Sequence, residues 1–132
     1  MKTAISEGVK ISVTPIFRKD LSNVEDRRYL FNYHIEIVNT NPFPVQLKTR
    51  YWYIFDSLDY NREVSGPGVI GEQPILFPGE VFEYSSGCDL ISEVGFMKGH
   101  YNFVQLNEYN KPIKNLRVNV PKFDLIAPFK LN

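Results

Sequence analysis

The sequence predicts an all-β domain, a sandwich of two sheets built from about seven strands. Three observations predict it. Apolar and polar residues alternate with period two in several separate segments. The chain holds eight tyrosines, ten phenylalanines and one tryptophan beside eight glycines and nine prolines, a balance that suits short strands and abrupt turns. Turn-forming residues recur at short intervals between the alternating segments.

In chain order, Val9, Ile11 and Val13 alternate with Lys10, Ser12 and Thr14, which predicts a half-buried strand. Residues 18–28 (RKDLSNVEDRR) are polar without alternation; Ser22 followed by Glu25 has the spacing to cap one helical turn, but a solvated loop is favoured. Tyr29, Phe31, Tyr33, Ile35 and Ile37 share one parity opposite Asn32, His34 and Glu36, a second strand. From Val45 to Phe55 the apolar parity breaks down, because Val45, Leu47, Tyr51, Tyr53 and Phe55 are joined near the end by Trp52 and Ile54. A bulge that swaps faces, or a strand covered on both sides, would produce that pattern. Val81 to Cys88 places Phe82, Tyr84 and Cys88 on one side, so Cys88 is expected to face inward as a small apolar residue. Phe96 to Leu106 changes parity between Phe103 and Val104, and Leu116, Val118 and Val120 alternate cleanly with polar neighbours. The turns between these strands are Asn39 to Pro42, Asp56 to Asn61, Phe77 to Glu80 and Asn107 to Pro112, each suited to a hairpin.

At 132 residues the chain has the size of a single domain, and no repeat or linker divides it. Lysine plus arginine and aspartate plus glutamate both total fifteen, so nothing general attracts nucleic acid or an anionic membrane. The lone Cys88 cannot form an internal disulfide, the first residues (MKTAISEGVKISV) lack a secretory apolar run, and no stretch is long enough to span a bilayer. A soluble, cytoplasmic protein is expected.

Residues 66–71 (GPGVIG) have the spacing G-x-G-x-x-G of phosphate-cradling loops. That motif works when the last glycine opens a helix whose amides point at the pyrophosphate. Here Glu72-Gln73-Pro74 follows, with Pro78 close behind, so no helix can run on. Gly71 is not followed by Lys-Ser or Lys-Thr, which also excludes the lysine-bearing phosphate loop. Gly66, Gly68 and Gly71 are therefore expected to shape a structural loop. The alternative is a phosphate- or nucleotide-binding protein that uses this loop, with or without a divalent metal.

Around that loop the chain carries Arg28-Tyr29 and Phe31-x-Tyr33, Val45-Gln46-Leu47-x-x-Arg50-Tyr51-Trp52, Gly66-x-Gly68-Val69-x-Gly71-x-Gln73-Pro74, Pro78-Gly79-Glu80, Tyr84-x-Ser86-Gly87 and Met97-x-Gly99-His100-Tyr101. Pro121-x-Phe123-x-Leu125 and Pro128 complete the series. By these blocks the chain resembles the ApaG family over residues 10–131. It departs mildly, in the loop at Asp20 to Val24 and in the segment Asn107 to Asn115. The resemblance implies a fibronectin type III-like or immunoglobulin-like sandwich of about seven to eight strands. It assigns no biochemical activity. It does imply an association with magnesium and cobalt handling, and a domain that also occurs in F-box substrate receptors and in a DNA polymerase delta-interacting protein, a distribution that fits an interaction module.

The remaining chemistry is sparse. His34, His100, Cys88 and scattered acids show no metal-ligand spacing, so neither a metal nor a cofactor is expected. His34 sits on a polar parity and His100 between Gly99 and Tyr101, positions of surface or loop-packing histidines. Ser85-Ser86-Gly87 lacks the G-x-S-x-G elbow and any indicated base, so no enzyme is expected. Arg50, Trp52, Lys98 and His100 are the candidate interaction surface, because arginine and large aromatics dominate binding hot spots. For Trp52 a place in the core is the competing assignment. The apolar segment Phe123 to Leu131 either closes the sandwich or docks on a neighbour. The expected function is thus a non-enzymatic interaction module with another protein as partner, and an open sheet edge makes a homodimer plausible.

Overall fold

The structure, a computed structural model, describes residues 1–128. Among them nine strands form and no α-helix: β1 (Lys2–Ser6), β2 (Val9–Phe17), β3 (Tyr29–Asn39), β4 (Val45–Asp56), β5 (Arg62–Pro67), β6 (Ile75–Leu76), β7 (Val81–Leu90), β8 (Val94–Leu106) and β9 (Pro112–Ile126). They build two antiparallel sheets. The first runs β1-β2-β3-β7; the second runs β5-β4-β8-β9, with β6 paired to β4. The predicted sandwich is present, with nine strands rather than about seven; the three that match none of the alternating segments are β1, β5 and β6, which carry little apolar alternation.

β3 shows why the fold is stable. It lies between β2 and β7, and Tyr29, Phe31, Tyr33, Ile35 and Ile37 all face the opposite sheet and are buried. Burying each such side chain contributes roughly 1.5–3 kcal/mol. In the second sheet the break in parity has a mechanical cause. The β4–β8 register slips between Leu47 and Thr49, so Val45 and Leu47 face inward before the bulge, and Trp52 and Ile54 after it. A second slip, between Met97 and Gly99 on β8, accommodates an extra residue of β9 near Pro121. It moves the inward set of β9 from Leu116, Val118 and Val120 to Phe123 and Leu125.

Two of the four expected hairpins are instead crossovers. Asn39 to Pro42 carries the chain from β3 in the first sheet to β4 in the second, and Phe77 to Glu80 carries it back from β6 to β7. Asn39 pins both. It is fully buried, its Nδ2 donates to Phe43 O and Leu76 O at 2.9 Å each, and its Oδ1 accepts from Asn41 N at 3.0 Å. A buried carboxylate, Asp56, joins the other end of the sandwich in the same manner. Its oxygens accept from Ile91 N and Ser92 Oγ, both at 2.7 Å. Residues 18–28 form the expected loop, with Ser22 Oγ donating to Arg18 O at 2.7 Å and accepting from Leu30 N at 2.9 Å. Of the C-terminal apolar segment, Phe123, Leu125 and Ala127 are buried and close the sandwich, while residues 129–132 lie outside the described residues.

Candidate functional site

The bulge in β4 separates the four residues assigned to one interaction surface. Beyond it, Arg50 pairs with Tyr101 and Trp52 with Gly99 on the inner side, whereas Tyr51 pairs with His100 and Tyr53 with Lys98 on the outer side. Lys98 and His100 therefore share a surface, but not with Arg50 or Trp52. Trp52 is no surface residue at all. It is 3% exposed, with Tyr33, Tyr101 and Phe123 packed edge-on around it at centroid distances of 5.5, 6.2 and 6.0 Å respectively.

The outer face of the second sheet carries an aromatic and cationic array that sequence inspection only partly locates. Tyr51 stacks on His100 at 5.1 Å, and Phe55 stacks on Phe96 at 4.9 Å. Lys98 Nζ lies 5.1 Å from the centre of the Tyr53 ring, and Lys122 Nζ lies 4.2 Å from that of Phe96. Arg117, on the adjacent strand β9, borders the same shallow depression as Tyr51, Lys98 and His100. Burial, and then the charge of Arg117, hold the His100 imidazole below its ordinary pKa, so it is neutral at pH 7. Tyr51 donates to Glu63 Oε1 at 2.5 Å, which fixes one border of the array.

On the inner side, Arg50 stands at the mouth of a cleft of about 290 Å³ between the sheets. Trp52, Ile54, Val64 and Met97 supply apolar walls, while Tyr33, Tyr84 and Ser86 supply hydroxyls. Tyr84 and Tyr101 hydroxyls meet at 2.5 Å, and burial raises the pKa of both, so both phenols stay protonated. Arg50 Nη1 donates to Pro67 O and Gly68 O at 2.9 Å each, clamping the glycine loop against β4.

That loop is the tip of a tight turn. Val69 and Glu72 exchange both backbone hydrogen bonds, and the two residues between them, Ile70 and Gly71, have φ of +44° and +79°, the signature of a type I′ turn. Gly68, at φ +61°, precedes it, and its amide donates to Lys48 O at 2.9 Å. The amides of Gly68, Val69 and Glu72 are thus already spent on backbone carbonyls. Strand pairing, not helix initiation, organises this G-x-G-x-x-G.

Two further groups bear on chemistry. His34 Nδ1 lies 3.0 Å from Ser85 Oγ and its Nε2 lies 3.4 Å from Glu83 Oε1, so cross-strand pairing supplies the histidine neighbour that the sequence does not indicate for the serine. The three sit on the exposed face of the first sheet. Cys88 is 7% exposed, and burial pushes its thiol up to about 11, with Arg62 opposing. It should label slowly with a maleimide at pH 8 in the native state and rapidly once denaturant is added; fast stoichiometric native labelling would contradict the packing of β7. The raised value also favours the fold below pH 9.0, and that contribution is lost as pH rises from 9.0 towards about 11.

Among the described residues no three histidine, cysteine or carboxylate side chains converge as metal ligands. Nor is any helix among them long and apolar enough to cross a membrane.

Fold and sites together define a β-sandwich domain with an aromatic-cationic sheet face and an arginine-lined inter-sheet cleft. The chain belongs to the ApaG family: the model of the ApaG domain matches residues 19–105. It is 42% identical over 128 residues to Protein ApaG of Brucella anthropi, covering 97% of this chain and 95% of that protein. Protein ApaG of Sinorhizobium fredii is 41% identical with the same coverage. A crystal structure of a Bordetella pertussis protein described as ApaA is similar with a TM-score of 0.81 at 39% identity, covering 91% of this chain and 94% of the other. An X-ray structure from a structural-genomics consortium reaches a TM-score of 0.83 at 29% identity, covering 98% and 94%.

Proposed function

We propose that the chain is a non-catalytic, cytoplasmic interaction module that docks on another protein through the outer face of its second sheet. The observation that carries this is the array of Tyr51, Tyr53, Phe96, Lys98 and His100, in which cations lie over rings on a flat, half-buried platform. Aromatic anchors ringed by cations are what hot spots of protein interfaces are made of. Lys98, Arg117 and Lys122 outnumber Glu63 and Asp124 on this face, so the partner presents an acidic surface. The fibronectin type III-like description of the sandwich belongs to the same proposal, as does an indirect link to magnesium and cobalt, since no ligand cluster forms among the described residues.

Reversing two charges tests it. Lys98→Glu with Arg117→Glu should leave stability within about 0.5 kcal/mol of the parent, since both side chains are exposed. The proteins retained from a lysate by the parent should be lost from this variant. An unchanged set of retained proteins, with both forms folded, would dismiss this face.

A further inference from the structure

We propose that the inter-sheet cleft beside Arg50 is a binding site for a carboxylate carried on a compact apolar body, whether a free small acid or the C-terminal residue of a polypeptide. The sandwich is closed on one flank and open on the other. Where β1 meets β9, Asn119 N donates to Ser6 Oγ at 3.2 Å. On the opposite flank β5 and β7 are the terminal strands of their sheets, and the cleft opens between them. Its far end is latched by Arg62, which donates to the carbonyl and carboxylate of Asp89.

The lining is chemically one-sided. Among the described residues that line it Arg50 is the one charged side chain, and Tyr33, Tyr84 and Ser86 bring hydroxyls to an otherwise apolar wall. A cation is repelled from such a cleft, and a neutral apolar molecule would desolvate the guanidinium without replacing its water. A phosphate dianion calls for more than one positive partner, whereas a carboxylate matches one arginine fork. Nη1 is committed to Pro67 O and Gly68 O, so the guanidinium is held in place before any ligand arrives. The volume, about 290 Å³, lies at the small end of ligand pockets and limits the apolar body to a single ring or branched chain. At the lip stands Ile70, 57% exposed and β-branched at φ +44°, a strained conformation of the kind found at ligand clamps.

Trp52 is the only tryptophan and forms part of the wall, so its emission reports on occupancy. The full chain is titrated with 3-phenylpropionate and with 3-phenylpropionamide. The acid should give a saturable change and the amide should bind about tenfold or more weakly, the expected effect of losing a charge-assisted hydrogen bond. Val64→Phe fills the cleft without touching the bonds of Arg50 to the loop, and both it and Arg50→Gln should abolish the response while melting cooperatively. A pentapeptide, Gly-Ser-Gly-Ala-Phe, is run as free acid and as C-terminal amide. Tighter binding of the free peptide than of 3-phenylpropionate assigns the site to a polypeptide terminus, and binding of the small acid alone assigns it to a metabolite. Equal binding of acid and amide, undiminished binding to Val64→Phe, or no response to either acid overturns the proposal. These outcomes are independent of the outer-face charge reversals, because the cleft lies on the other side of β4.

Discussion

Replacing Trp52 with alanine is expected to destabilise the domain by about 3–5 kcal/mol, the range for removing a large aromatic side chain from a core. The indole contacts both sheets: Tyr33 belongs to β3, and Tyr101 and Phe123 to β8 and β9. Its neighbours cannot collapse into the space, since each is fixed in a paired strand, so most of the cavity would persist. A domain of this size is stable by only about 5–15 kcal/mol, so the loss is a large fraction of the total. Urea denaturation followed by far-ultraviolet circular dichroism should show a midpoint far below that of the parent. A shift under about 1 kcal/mol would mean that the indole is not packed as described. The variant therefore measures the core, and any loss of partner binding that accompanies it says nothing about a surface. Lys98→Glu with Arg117→Glu is the informative surface variant.

The contrast shows what the sequence makes legible. β3 reads clearly because β2, β7 and the facing sheet bury one side uniformly, so alternation survives along the whole strand. β1 does not, because it is an edge strand whose largest apolar side chain, Ile5, is 64% exposed. In β4 the change of parity is visible, but not the residue at which it occurs. The slip between Leu47 and Thr49 decides that Arg50 and Trp52 face inward while Tyr51 and Tyr53 face outward. Adjacency in the chain groups Arg50 with Trp52, which do share a side of β4, but it does not show that Lys98 and His100 lie on the opposite side. Cross-strand register, which a single sequence does not state, places His100 beside Tyr51 and Ser85 beside His34. Cys88 was legible because β7 has no bulge between Val81 and Leu90.

Gly68→Ala is expected to cost about 2 kcal/mol or more, and Gly71→Ala only about 1 kcal/mol, although both positions have positive φ. The shared part is the strain of a left-handed conformation with a side chain. The difference is space: a Cβ on Gly68 would stand 2.2 Å from Glu72 O, backbone that the turn holds in place, whereas a Cβ on Gly71 meets nothing within 4 Å. Gly66 differs again, for its φ is not positive and its added Cβ would press on the Arg50 guanidinium at 3.3 Å. Denaturation midpoints of the two left-handed variants should follow that order, and equal losses would remove the argument from close approach. The same geometry bears on the G-x-G-x-x-G spacing. A phosphate cradle needs free amides aimed at one point, and those of Gly68, Val69 and Glu72 already bond carbonyls of β4 and of the turn itself. Millimolar ATP, diadenosine polyphosphate or pyrophosphate, with or without magnesium or cobalt, should hence leave the melting temperature of the parent unchanged, because a ligand stabilises only by RT ln(1 + [L]/Kd) and Kd here is large. Gly71→Ala is the control to use, since it alters the tip of the turn and stays folded. A saturable rise in melting temperature of the parent that vanishes in Gly71→Ala would show that the turn opens to bind anions and would return the loop to function.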